Sequence, residues 1–501
     1  MKYSMLKLKF VWLFFLLTAM PYCSFAQTIL TIERALEIAE DNNPQLKNSK
    51  LSFERTQYQL EAQRASLKSQ FSMNVSPIGW SINRRYDDRL SSWYTSDTKS
   101  SDGTFRIEQP ILPTDGTLSL TNRFGWQHST TTTGGVSGSP NKRFQNSLSL
   151  RYNQPLFTYN RRKMELEQLE FDHENSGISY ALQRLNTESR ITTQFYQVYM
   201  AQNNLEISRE EYENAKKNYE IIKHKVDTEL SPKEELFQAE VNLATAESSV
   251  ESSTVTLENA KESLKQTLGM PLSENIAVVA DVTVVTMLID PEKAIASGLS
   301  SRMELRQREI SLELAEMSMI RTKAMNEFKG DLSISLGITG DDEAFGRIYT
   351  DKNTQFTPTI GISFNVPIFD WGEKKARIKA QEKSQMMTQL DYENTKVDIE
   401  INIRQTIRSL NNLRTQLLIA EKNVENTQLM YELNEIRYRE GDLTGLQMSQ
   451  YQVQLSNSKT SFARTQINYK TELLNLKILT LYDFENDTPI VPIRELINNV
   501  N

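Results

Sequence analysis

Apolar positions along this chain follow two periods. One steps by seven: Ile191, Val198, Leu205, Tyr212, Tyr219, Val226, and again Ile403, Leu410, Leu417, Val424, Tyr431, Tyr438. After a break in each series the step resumes, through Leu236, Leu243, Val250, Leu257, Leu264 and through Met448, Leu455, Phe462, Tyr469, Leu476. A seven-residue repeat lays one apolar stripe along a helix and favours left-handed supercoiling. It predicts helices over residues 160–226 and 373–439, each about 100 Å long at roughly 1.5 Å rise per residue. Gly177 is a point of local weakness in the first. The breaks read Thr228-Glu229-Leu230-Ser231-Pro232 and Gly441-Asp442-Leu443-Thr444-Gly445. Ser231 or Thr444 can cap the returning helix, and Pro232 fits its first position. Each copy is thus a long antiparallel helical hairpin with a thin stripe flanked by small and polar residues.

The two series are one pattern written twice. Pro155-Leu156-Phe157 recurs as Pro367-Ile368-Phe369, an offset of 212 that every heptad pair above obeys. Nearer the start, Glu33-Arg34-Ala35-Leu36 and Pro44-Gln45-Leu46 match Glu292-Lys293-Ala294-Ile295 and Met303-Glu304-Leu305 at an offset of 259. The offsets differ by 47, so the first copy carries 47 extra residues before Pro155.

The second period is two. Leu332, Ile334, Leu336 and Ile338 alternate with polar or small residues, as do Ile360, Ile362, Phe364 and Val366. This predicts a hairpin with one apolar and one polar face. In the first copy Phe71, Met73 and Val75 mark one strand, and Leu148, Leu150 and Tyr152 another. That gives four strands, whereas a membrane-spanning barrel needs at least about eight. Lipid tolerates no open sheet edge. Either the sheet is covered and soluble, or several chains close one barrel, the reading favoured here. The extra residues fall within 76–143, where Gln109-Pro110-Ile111 echoes Gln154-Pro155-Leu156 and Leu118 alternates with Leu120. They form a larger external loop or an added hairpin. Pro155, Phe157, Pro367, Phe369, Trp371 and Gly372 mark the strand-to-helix junctions, where an aromatic belt, with Tyr159, would lie.

Composition narrows the function. Of 501 residues 57 are basic and 64 acidic, for a net charge of -7. Residues 1–26 read as a signal peptide: Lys2, Lys7 and Lys9, then an apolar run too short to span a bilayer, then Ser24-Phe25-Ala26. Removing it takes away three Lys and leaves -10. A duplex needs a basic face, so nucleic acid is not a partner. The single cysteine, Cys23, lies inside the leader, and the mature protein is read as thiol-free. His128, His173 and His224 lack ligand spacing, and no HExxH, Walker or Rossmann pattern occurs, so no enzyme, cofactor or metal site is expected. Asp341-Asp342-Glu343 reads as a solvated loop, since the companion ligands of a calcium loop are missing.

Together these residues resemble the outer-membrane efflux protein family, the TolC-like outer-membrane factors. The resemblance lies in Leu30-Thr31-Ile32-Glu33-Arg34-Ala35-Leu36, Asn43-Pro44-Gln45-Leu46, Gln154-Pro155-Leu156-Phe157, Val366-Pro367-Ile368-Phe369-Asp370-Trp371-Gly372 and Leu268-Gly269. It covers about Leu30 to Leu481, with the 47-residue excess as a departure. It implies a mainly α protein with membrane β structure. Long coiled-coil hairpins would form an α-barrel, and four or more strands per chain would enter a shared trimeric β-barrel, twelve-stranded if four. Residues 276–285 would join a mixed α/β belt. The boundaries expected are 1–26 signal peptide, 27–270 first repeat (helices 31–69, β region 70–156, hairpin 160–268), 271–481 second repeat (helices 291–328, β hairpin 330–367, hairpin 372–480) and 482–501 periplasmic tail.

The resemblance also implies an outer-membrane duct with a periplasmic extension, serving efflux or type I secretion. It would be a homotrimer in outer-membrane lipid, handed substrates by a periplasmic adaptor and an inner-membrane transporter. The rival is a periplasmic coiled-coil structural or adaptor protein. Such ducts close at the helical turns, which makes Lys225, Asp227, Glu229, Tyr438, Arg439, Glu440 and Asp442 gate candidates; otherwise these are solvated tip residues. Where the family often has an acidic ring, this chain has Leu446 and Gln447. Leu230, Ser231, Leu443 and Thr444 are adaptor-contact candidates, against packing between neighbouring hairpins.

Overall fold

A computed structural model describes residues 28–88, 91–133, 136–350, 352–440 and 442–490. The leader with Cys23, Gly441 and the end of the expected tail lie outside the described residues. In chain order the elements are β1 (Thr28–Leu30), α1 (Ile32–Asn42), α2 (Pro44–Ser66), β2 (Gln70–Asp87), β3 (Ser92–Ile111), β4 (Gly116–Thr133), β5 (Val136–Ser137), β6 (Asn141–Leu156), α3 (Arg161–Asp227), α4 (Lys233–Leu268) and β7 (Ile276–Val278). Then follow α5 (Pro291–Ser301), α6 (Met303–Lys323), β8 (Lys329–Asp342), β9 (Thr354–Asn365), α7 (Glu373–Glu440), α8 (Gly445–Thr480), β10 (Tyr482–Asp483) and β11 (Thr488–Pro489).

The duplication is visible residue by residue. Helices α3 and α7 begin at Arg161 and Glu373, and α4 and α8 at Lys233 and Gly445, both pairs 212 apart. Helices α1 and α5 begin 259 apart, as do α2 and α6. Helix α3 passes through Gly177 unbroken. No helix among the described residues is long and apolar enough to cross a membrane.

The chain divides into two compact units that cut across the repeats. The first comprises residues 1–50, 180–302 and 398–501. Its core gathers Leu30, Ile191, Phe195, Val198, Leu264, Leu268 and Ile276, each with at most 1% of its surface exposed. Strand β1 pairs in parallel with β7, from Thr28 opposite Ile276 to Leu30 opposite Val278. Asn43 is buried and ties this core together: its amide donates to the Thr267 carbonyl at 2.6 Å, and its Oδ1 accepts from the Leu46 N–H at 2.8 Å, capping α2. The Leu268-Gly269 pair ends α4. Gly269 sits at φ 71°, and its N–H bonds back to the Gln266 and Lys265 carbonyls. The heptad stripe is buried at Ile191, Val198, Leu205, Ile403, Leu410 and Leu417. Toward the hairpin turns it is only half-buried, at Tyr212, Tyr219, Val226, Val424, Tyr431 and Tyr438.

The second unit, residues 51–179 and 303–397, holds one antiparallel sheet of order β2-β3-β4-β6-β8-β9, with the short β5 paired to β4. It has six long strands, two more than the four marked by alternation. The excess in the first copy is therefore an added hairpin, β2–β3, and not a loop. Strand register sorts the faces. Phe71, Ile107, Leu120, Leu150, Leu336 and Pro358 form one continuous row across all six strands, and Met73, Phe105, Asn122, Leu148, Ile338 and Phe356 the next. On the opposite face the corresponding row is Ser72, Arg106, Thr121, Ser149, Gly337 and Thr357. The apolar face is uncovered: Phe71, Met73 and Ile360 each expose 67% or more.

Gly269 supplies a test of the α4 terminus. A Cβ there would stand 2.3 Å from the Asn42 carbonyl oxygen, on a left-handed backbone. Gly269→Ala is expected to cost about 1–3 kcal/mol, read as a lower melting temperature of the detergent-extracted protein. An unchanged melting temperature would show that this clasp contributes nothing.

Candidate functional site

At the first hairpin turn, Lys225 and Asp227 lie in the last turn of α3 and Glu229 lies just beyond it. The Leu230 N–H bonds to the Lys225 carbonyl at 2.7 Å and the Glu229 N–H to that of Val226 at 3.0 Å. This is a Schellman closure, with Glu229 at the left-handed position, φ 59°. A side chain there costs roughly 1 kcal/mol that glycine avoids. The residue 212 positions later is Gly441. Closure of the second turn shows the same reach, Asp442 N–H to Arg437 carbonyl at 2.9 Å.

The returning helices start differently. Thr444 makes a full capping box: its hydroxyl accepts from the Gln447 N–H, and the Gln447 side chain accepts from the Thr444 N–H at 3.0 Å. In the first copy the capping position falls on Pro232, which has no side-chain hydrogen bond. This corrects two expectations: Ser231 stands one residue before the cap and does not serve as it, and Pro232 is the cap itself and not the first helical residue. The 212 offset places Pro232, not Ser231, opposite Thr444.

Leu230 is 78% exposed, whereas Leu443 and Ser231 are half-buried and Thr444 is exposed. Of the gate candidates, Tyr438 is half-buried and the other six are exposed. Arg439 pairs with Glu435 at 2.5 Å, one turn back on its own helix. Among the described residues no ion pair joins the two turns. The start of α8 does pack on α3: a Cβ on Gly445 would lie 2.5 Å from the Asn218 Oδ1.

A carboxylate cluster emerges that the turn sequences did not announce. Burial, and then the neighbouring Glu210, pushes the Glu211 carboxyl above its usual range. Burial, then Glu435 and Glu210, pushes the Tyr431 hydroxyl up, against the opposing pull of Arg439. The fields of Glu210 on α3 and Glu435 on α7 thus meet at Tyr431, about two turns back from the hairpin ends. Adjacent Glu210-Glu211 was the available signal. Leu446 and Gln447 bear no charge, whereas their counterparts 212 residues earlier, Glu234 and Glu235, put two carboxylates in the first turn of α4.

In the second unit, Pro155 and Leu156 end β6 and are followed by Phe157, at φ 59° and 64% exposed. Asn160 then caps α3, its Oδ1 accepting from the Lys163 N–H at 2.9 Å. The turn between β3 and β4 closes onto this helix start. Its buried Asp115 carboxylate accepts from Arg161 and Arg162, and Arg162 also reaches the Asp115 and Gly116 carbonyls. At the second junction Asp370 does the capping, accepting from the N–H groups of Lys374 at 3.0 Å and Gly372 at 2.9 Å. Those two bonds, the Lys374 one first, hold its carboxyl below the usual carboxylate range. Trp371, at φ 54°, and Gly372, at φ 84°, turn the chain. Pro367, Ile368, Phe369 and Trp371 all face outward, and the Phe369 and Trp371 rings meet edge-on at 4.8 Å.

Asp341 and Asp342, expected in a solvated loop, are instead the last residues of β8: Asp341 pairs with Arg143, and Asp342 accepts from the Ala344 N–H and the Asn353 amide. Among the described residues no cluster of His, Cys, Asp or Glu could hold a metal ion.

Thr444 gives a local test. Thr444→Ala is expected to cost about 1 kcal/mol at the start of α8, read as faster amide hydrogen exchange in its first turn. Unaltered exchange there would mean the capping box does not order the tip.

A family model described as Outer membrane efflux protein matches residues 117–270 and 330–480, one match per repeat. No curated protein matches in sequence. Among solved structures, the chain is similar to the CmeC outer membrane channel of Campylobacter jejuni, at TM-score 0.69 and 16% identity over 93% of this chain and 88% of that one. It is also similar to the MtrE outer membrane channel of Neisseria gonorrhoeae in its open state, at TM-score 0.65 and 14% identity over 91% and 90%. The outer membrane protein VceC of Vibrio cholerae gives TM-score 0.62 and 13% identity over 90% and 95%. At these identities the likeness is one of fold.

Proposed function

The chain belongs to the outer membrane efflux protein family, and from that premise we propose that its two hairpin turns form the gated periplasmic mouth of the duct and receive the adaptor there. It is an outer-membrane efflux channel of a tripartite system, not an enzyme, and it carries a periplasmic helical extension. Channels of this family are trimers. The observation that carries the reading is incompleteness: the sheet ends in two unpaired edges, and the stripe is half-buried just where the helices approach their turns. Both deficits are of the kind that further copies of the chain make good. Cargo is passed from an energised inner-membrane transporter through a periplasmic adaptor, and the transporter selects it. The duct supplies a lined passage.

At the mouth, Arg439, Asp442, Lys225, Asp227, Glu229, Glu440 and Tyr438 restrain the closed state. Support comes from their place at the helix ends and from the carboxylates around Tyr431 that Arg439 faces. An exposed ion pair is worth about 0–1 kcal/mol, which moves a two-state opening by up to about fivefold. Arg439→Ala and Asp442→Ala are therefore expected to raise single-channel conductance or antibiotic leak by up to about fivefold. Normal leak in both variants would take these residues out of the gate.

Leu230 beside Ser231, and Leu443 beside Thr444, present an apolar side chain next to a small hydroxyl at each tip. The exposure of Leu230 supports adaptor contact more strongly than that of Leu443. A photo-crosslinker at Leu230 is expected to capture a periplasmic adaptor, and one at Leu443 to do so less well. Adducts to neighbouring hairpins alone, at both positions, would assign these residues to trimer packing.

A further inference from the structure

We infer that hairpin β2–β3 is a segment of the barrel wall, so that three copies close an eighteen-stranded barrel in which β9 of one protomer pairs with β2 of the next. This rests on the channel reading above and on the family's threefold assembly. It replaces the twelve strands that four per chain would give.

The faces of the sheet run unchanged into the added hairpin. Phe71 and Ile107 continue the row of Leu120 and Leu336, and on the other side Ser72 and Arg106 continue that of Thr121. A hairpin lying outside the membrane would have no cause to keep an apolar row in register with the wall. Beyond the irregularity between Ser76 and Gly79, Trp80 stands opposite Lys99, on the same face as Val75 opposite Gly103. The bulge thus keeps Trp80 and Ile82 on the apolar side.

The base of the hairpin copies the base of its neighbour. Gln109 donates to its own Pro110 carbonyl at 2.7 Å and to the Leu67 carbonyl at 3.2 Å. Gln154, 45 residues later, donates to its own Pro155 carbonyl at 2.8 Å and to the Thr114 carbonyl at 2.6 Å. Both hairpins therefore end in the same clasp, a Gln-Pro step that reaches back to the segment preceding the hairpin's first strand.

The edges settle which strands must meet. For β9 to pair with β4 of a neighbour, as in a twelve-stranded closure, the outer edge of β4 would have to be free. It is occupied by β3 from Ile111 opposite Gly116 to Tyr94 opposite Thr133. The free edges are β2 and β9, and in a run of six alternating strands these two point in opposite directions. Joined head to tail they continue the antiparallel order without a break. Barrel diameter grows roughly linearly with strand number, so the lumen would be about one and a half times as wide as that of a twelve-stranded wall.

Inter-strand disulfides test this in the full chain, whose one native thiol, Cys23, precedes the expected cleavage site. The β2 and β9 edges of one protomer are five strand spacings apart, roughly 24 Å, beyond the reach of a disulfide. A bond must therefore join two chains. Thr359→Cys on β9 combined with Gln70→Cys, Ser72→Cys or Asn74→Cys on β2 should yield, in at least one register, an oxidised ladder ending at three chains. A ladder with Ser119→Cys or Thr121→Cys on β4 instead, or no ladder with any pair, overturns the inference. Electron cryomicroscopy of the unaltered protein gives an independent count. Eighteen strands around a threefold axis support the inference. Twelve strands in a trimer overturn it while leaving the channel reading intact, whereas particles with no barrel at all would remove both.

Discussion

Backbone N–H and C=O groups that end in lipid without a partner cost several kcal/mol each, and that single constraint organises the sheet. Along most of their length the four inner strands pair on both sides, but β2, eighteen residues long, and β9, twelve residues long, each pair on one side only. The apolar and polar rows follow from the same demand. A wall one strand thick must offer hydrocarbon one face and water the other. Period-two alternation, with Ile334, Leu336 and Ile338 against Ser333, Ser335 and Thr339, is how a sequence writes that. Nothing in one copy can satisfy the two edges, so folding to completion and assembly are one problem for this chain.

Much of the helical architecture was legible because a long helix repeats its demand many times. Eleven heptad pairs at one offset located α3, α4, α7 and α8 to within a residue or two. The sheet was legible only in part. Strands β8 and β9 alternate cleanly, but β2 changes parity at its bulge, where Pro77 and Ile78 break the alternation between Val75 and Trp80. Strand β3 shows alternation only at Phe105 and Ile107, near its base, and its upper half, with Ser96, Thr98, Ser100 and Lys99, reads as a loop. The Thr130 to Thr133 run, which carries no apolar alternation, belongs to β4. Strand pairing is a long-range property, and polar strands leave little local trace of it.

The candidate mouth was legible as a place and not as a set of partners. Spacing found both turns, but the capping residue was misassigned by one position, since Ser231 and Thr444 are both good caps in isolation and only the 212 offset distinguishes them. The carboxylates meeting at Tyr431 come from two helices far apart in sequence. No local pattern brings Glu210 next to Tyr431; helix packing does. The two copies have also diverged. A glutamate stands where the second turn has a glycine, and a proline where it has a capping threonine, so the two turns begin from unequal backbone rigidity.

The clasp shared by Gln109 and Gln154 has an implication for how such chains change over evolutionary time. A hairpin that carries its own exit clasp, and whose following turn is anchored through Asp115 to Arg161 and Arg162, is a self-contained module. It can be copied in tandem without disturbing the helices, whose spacing beyond Pro155 still obeys the older offset. Girth in the sheet and helix number are then independently heritable. One tandem copying event of some 45 residues adds two strands per chain and, by symmetry, six to the whole.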